Sequence, residues 1–92
     1  MSEQRISQRQ VTIGTAATPL GEGLVGSSTF HLYAEAGGSS TIYVGGANVT
    51  VNNGYILHKG LPITMLVPER VQLYAIATNP GDKVSVLQIG GI

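Results

Sequence analysis

The run Thr41–Gly60, TIYVGGANVTVNNGYILHKG, restricts this chain more than any other: short β-forming segments alternate with turn residues, and charge is nearly absent. Val, Ile, Tyr and Thr suit a pleated, half-buried surface, whereas Gly45-Gly46 and Asn53-Gly54 can adopt the positive φ angles of tight hairpin turns. The two pairs compete, because each defines a different register. If both turn, three short strands result. If Asn53-Gly54 is the tight turn, Val51 faces Ile56 and Thr50 faces Leu57; a looser loop is the third arrangement these residues allow. An isolated hairpin is marginal in water, so any of the three needs further strands packed on it.

The remaining sequence supplies them. Gln10–Gly14 (QVTIG) reads as a short strand, and Pro19 argues against a central strand in the segment that follows. Ser27–Ala36 alternates, with Phe30, Leu32 and Ala34 on one face and Thr29, His31, Tyr33 and Glu35 on the other, which describes a strand with one buried side. Gly37–Ser40 turns the chain into Thr41–Gly45, where Ile42 and Val44 oppose Tyr43. Leu61–Val67 is apolar on both faces, as for an interior strand. Val71–Thr78 and Lys83–Ile89 flank Asn79-Pro80-Gly81-Asp82, which fits a type II turn, and read as a terminal hairpin. With no capped helical period, the expectation is all-β: a small antiparallel β-sandwich of about seven or eight short strands.

A chain of 92 residues makes one domain with a small core, for which association between copies is a ready source of extra stability. The domain is placed at residues 11–92, behind a polar arm, Met1–Gln10, that is either a frayed terminus or lies over a neighbouring subunit. Charged residues are 11% of the chain, against roughly 25% in an average soluble protein, and the five basic and five acidic residues cancel. That balance removes the electrostatic footprint of a nucleic-acid binder and of a polybasic membrane-surface segment. No run approaches the ~20 apolar residues of a membrane span, and Met1–Gln10 has no apolar signal region. With no cysteine, disulfides and thiolate chemistry are excluded within this sequence.

Chemistry-bearing patterns are few. Gly21-Glu22-Gly23-Leu24-Val25-Gly26 spells G-x-G-x-x-G, yet a strand-like segment follows where a dinucleotide site needs a helix, so the glycines read as a flexible connection. His31 and His58 stand at no metal-ligand spacing. Asp82 is the single Asp available to a Ser-His-Asp set, with no nucleophile-elbow sequence, and the four glutamates are scattered. Asn48-Val49-Thr50 matches a glycosylation acceptor, a match without consequence in the absence of a secretory signal. No enzymatic activity, catalytic residue, cofactor, metal or small-molecule ligand is expected. Tyr33, Tyr43, Tyr55 and Tyr74 suit core edges and interfaces, and exposed members suit a sugar-binding platform.

Taken together, QVTIG, IYVGGANVTVNNGYIL, LYAIA and KVSVLQ resemble a group of small β-rich proteins encoded among the virion genes of tailed bacteriophages. The resemblance spans most of residues 10–89 and is most specific at Tyr43–Leu57 and Leu73–Ala77. The chain departs from it at Glu35-Ala36-Gly37-Gly38, where members carry an Asn-containing turn. It implies a virion structural protein, assembled in the host cytoplasm: a capsid decoration (cement) protein that binds the major capsid protein or other virion proteins and stabilises the shell. Homo-oligomerisation is expected, with a trimer as one arrangement. The alternative is a head-fibre, collar or tail-associated module that recognises host-surface glycan through Tyr43 and Tyr55. The candidate contact residues are Arg5, Ile6, Arg9, Tyr43, Asn53 and Tyr55, together with the loops around Gly21–Gly26 and Gly45–Gly54.

Overall fold

Alternating apolar residues and closely spaced turns fold this chain into an antiparallel β-sandwich, as expected. The computed structural model describes residues 5–35 and 40–90, and within them runs β1 (Arg5–Thr12), β2 (Thr18–Glu22), β3 (Ser28–Ala34), β4 (Ile42–Gly45), β5 (Tyr55–Leu57), β6 (Ile63–Val67), β7 (Gln72–Ala77) and β8 (Lys83–Gly90). Two four-stranded sheets result: sheet A in the order β1-β8-β3-β6 and sheet B in the order β2-β7-β4-β5. All the strand pairings are antiparallel.

The first strand pairs with the last, the second with the seventh, the third with the sixth and the fourth with the fifth. The chain is thus one long hairpin rolled over itself, an eight-stranded jelly roll. Between the sheets lie the inward residues of every strand, among them Phe30, Leu32, Ile42, Leu57, Val84 and Val86. Burial of side chains this size contributes about 1.5–3 kcal/mol each.

The alternation read in Ser27–Ala36 holds, since Phe30, Leu32 and Ala34 are buried and Tyr33 is exposed. The Asn79–Asp82 turn also forms, with Gly81 at φ +107, a conformation glycine adopts without a Cβ clash. What it connects differs from expectation. β7 belongs to sheet B and β8 to sheet A, so the turn is an arch between sheets and the two strands do not pair. A turn signal specifies that the chain reverses and leaves open which strand receives it.

Three other expectations are corrected. Of the arm, Met1–Gln4 lie outside the described residues, but Arg5–Gln10 form most of β1 and pair along their length with β8. The strand was hidden because Ser7 and Arg9 occupy its inward positions, where apolar residues are the usual signal. Leu61–Val67 yields an edge strand, β6, with Leu66 open to solvent. In the Thr41–Gly60 run neither two-residue turn forms: Ile42 pairs with Leu57, Tyr43 with Ile56 and Val44 with Tyr55, so the connection is the looser loop 46–54. Its glycines are not among the residues at positive φ. Gly54 is required by proximity instead, because a Cβ there would lie 2.5 Å from Tyr43 Cβ and 2.9 Å from Val49 Cγ2.

Candidate functional site

Strand direction gathers the loops into two groups. Arg5 and Ser28 both stand opposite Gly90, while Glu22 faces Gln72 and Gly45 faces Tyr74. Loops 23–27, 46–54 and 68–71 therefore share one end of the sandwich with the start of β1. The two glycine-containing loops proposed from the sequence as contacts are brought together there, and each exposes a valine, Val25 and Val51; Val71 of the third loop is exposed as well.

Neither loop is a slack connection. Gly21 and Glu22 belong to β2, Gly23 N donates to Val71 O (3.0 Å), Arg70 N donates to Gly23 O (2.9 Å), and Ser27 N closes a turn on Leu24 O (2.8 Å). In the second loop Asn53 Oδ1 accepts from Thr50 N (2.7 Å) and Asn53 Nδ2 donates to Asn48 O (3.3 Å). Asn53, a candidate contact residue, is thus committed to shaping its own loop. Between Gly45 and Gly54 this loop encloses a concavity of about 330 Å³.

Arg9, another contact candidate, turns inward. Its Nε and Nη2 donate to Leu20 O (2.9 and 2.6 Å), Nη2 also reaches Gln88 Oε1 (3.2 Å), and Nη1 reaches Ser7 Oγ (3.1 Å). The cause lies in β2, whose register slips between Pro19 and Gly21 so that Leu20 is an extra, bulged residue with an unpaired carbonyl. Gly21 permits the approach, because a Cβ there would lie 2.0 Å from Arg9 Nη2. Gln88 continues the seam, donating from Nε2 to Glu22 O (2.8 Å) and Ser28 Oγ (3.1 Å), and Ser28 Oγ accepts from Leu24 N (2.9 Å). Arg9 thus joins the edge strands β1 and β2, and Gln88 and Ser28 carry the seam from β2 and the loop after it to the interior strands β8 and β3. The only sequence signal for these three side chains was the polar break in an otherwise apolar alternation at Gln88.

Ile6 and Tyr55 fit an exposed role, each 67% accessible. Arg5 is placed by its backbone, opposite Gly90. Tyr43 is half-buried on the outer face of sheet B, opposite Ile56, whereas Tyr55 pairs with the inward-facing Val44 and so projects from the other side of the sheet at its edge. The two rings do not form one platform.

At the opposite end, Asp82 accepts hydrogen bonds from the Lys59 ammonium and the Ser40 hydroxyl. Lys59, then Ser40, hold its carboxyl below the ordinary value of 3.8. Asp82 O also accepts from Ile13 N (2.8 Å), and Gly81 N donates to Ile13 O (3.1 Å), so this cluster ties turns from both sheets together. His31 Nδ1 is paired with Thr64 Oγ1 (3.1 Å) on the outer face of sheet A. Among the described residues, no group of His, Asp and Glu converges in a way that could hold a metal ion.

No protein-family model matches this chain, and no curated protein matches it. A solved structure from work describing Bacillus endospore appendages as "a novel family of disulfide-linked pili" is similar, with a TM-score of 0.68 at 14% sequence identity, over 96% of this chain and 84% of the other. That likeness is one of fold: the chain folds as that appendage protein does, and carries none of the cysteines a disulfide link requires.

Proposed function

We propose that this protein is a virion structural component of a tailed bacteriophage, a capsid decoration protein that docks on the shell through the end carrying loops 23–27, 46–54 and 68–71. The observation that carries the reading is the presence of three exposed valines, Val25, Val51 and Val71, at one end of the sandwich, on loops closed by their own hydrogen bonds. An apolar tip on loops so closed loses little conformational freedom on docking, and a lattice of identical sites makes a modest contact per copy sufficient. The sequence resemblance at Tyr43–Leu57 and Leu73–Ala77 supplies the phage particle as the setting, and the jelly roll is a fold used by viral capsid domains.

A second reading, a subunit of a fibre or collar on the same particle, draws on the endospore pilus, whose protein shares the fold. One experiment separates them. In images of intact particles produced by the encoding phage, density for this chain over the shell lattice supports decoration, and density confined to a fibre or tail supports the second reading. Absence of the chain from purified particles rejects both. For the docking end, Val25→Asp with Val71→Asp should abolish attachment to shells while the isolated domain keeps its fold; undiminished occupancy would remove this end as the contact.

A further inference from the structure

Cross-strand register places the outward side chains of sheet A in rows. One row reads Ile6, Ile89, Thr29, Leu66; the next reads Gln8, Leu87, His31, Thr64; the third reads Gln10, Ser85, Tyr33. The first is a ridge that carries large apolar groups on three of its four strands, Ile6, Ile89 and Leu66 with the shorter Thr29 between the last two, and Ile6 is 67% and Leu66 69% exposed at its two ends. Toward the third row the surface sinks into a groove of about 340 Å³, bordered by Gln8, Gln10, His31, Tyr33, Ser85 and Leu87. Ridge and groove therefore lie on one face, displaced along the strands. Among the described residues, the charged side chains directed to this face are Lys83, at the start of β8, and Glu35, just beyond β3, of opposite sign and at one rim; Arg9 also borders the groove, but its guanidinium is bonded inward to Leu20 O.

We infer that the outer face of sheet A is a self-association surface, on which a second copy of this chain packs about a two-fold axis that seats the ridge of each copy in the groove of the other. An axis lying parallel to the rows and passing over Leu87 brings Ile89 of one copy above Ser85 of the opposing copy, twice, and Leu87 above its own counterpart. Such an interface is isologous, and a surface bearing both a protrusion and its receptacle fits that symmetry. The central rows carry no ionised carboxylate, lysine or arginine, so two copies meet without repulsion, while a charged partner would find nothing to pair with. Strands of eight, eight, seven and five residues, with about 3.3 Å of rise per residue and about 4.8 Å between neighbours, cover roughly 450 Å², and two such faces bury roughly 900 Å², the size of a weak, reversible association. The inference concerns the isolated protein and stands whether or not the chain decorates a shell.

Sedimentation of the full chain from micromolar to millimolar concentration tests it. Wild type should pass from monomer to dimer, and Leu66→Asp on the ridge should weaken that step about tenfold or more, because a carboxylate would be buried without a partner. Ser85→Arg, which fills the groove, should do the same, whereas Ile56→Asp on the outer face of sheet B should leave dimerisation unchanged. Circular dichroism melting at low concentration checks that each variant folds; should one fail to fold, the other decides. A wild type that stays monomeric throughout, a dimer untouched by both sheet A variants, or a dimer lost in Ile56→Asp overturns the inference.

Discussion

On the outer face of sheet B, Ile76 is 9% exposed, while on the outer face of sheet A, Leu66 is 69% exposed, although both are large aliphatic residues pointing away from the sandwich interior. Their neighbours make the difference. Ile76 stands in a central strand opposite Tyr43, with Tyr74 two residues along on the same face, so two rings with polar tips screen it. Leu66 stands in an edge strand opposite Thr29, too short to cover it. An apolar group on the outside of a sandwich is hidden by its cross-strand partners or left for another molecule, and strand position decides which.

The largest effect should come from shortening each residue in turn. Ile76→Ala should cost about 2 kcal/mol or more in urea unfolding, since it opens a space beneath two tyrosines, and Leu66→Ala at low protein concentration should stay within about 0.5 kcal/mol. Equal losses would show that the two faces are alike in solution. Next, Arg9→Leu should cost about 1–2 kcal/mol by leaving Leu20 O without a donor at the seam between the sheets. An unchanged midpoint would mean that the bulge relaxes and pairs elsewhere. The smallest effect is expected from acid. Because the Asp82 carboxyl is held below 3.8 by Lys59 and Ser40, its contribution is complete above that value and disappears as pH falls through the lower folded one. Asp82→Asn should flatten this limb of the stability–pH curve, and a wild-type curve with the same slope would show that the clasp is dispensable.

Sequence reading reached the sandwich and much of its core because period-two alternation in Phe30–Leu32–Ala34 and Ile42–Val44 reports burial directly. Partnership between strands was not legible. The Asn79–Asp82 turn fits a hairpin or an arch equally well, and only the competition of all strands for edges decides that β8 lies between β1 and β3. The loop 46–54 was misleading for a related reason. Asn53-Gly54 looks like a hairpin turn, but Asn53 spends its amide on Thr50 and Asn48, and Val49 is buried beside Gly54, contacts that a two-residue turn would forfeit. Among the contact candidates, Ile6 and Tyr55 are exposed, which leaves both free for a contact without assigning either to one. Arg9 was not, because its partner is a carbonyl exposed by a bulge in another strand.

The nested order of pairing carries a kinetic implication. Sheet A has β8 in its interior, so neither β1 nor β3 has its full complement of hydrogen bonds until the last of the eight strands arrives. A nascent chain lacking that strand holds two orphan edges and an uncovered hydrophobic interior, and it can only wait or aggregate. Assembly should therefore be all-or-none and slow for the chain's size, in milliseconds to seconds, as for other topologies dominated by distant contacts.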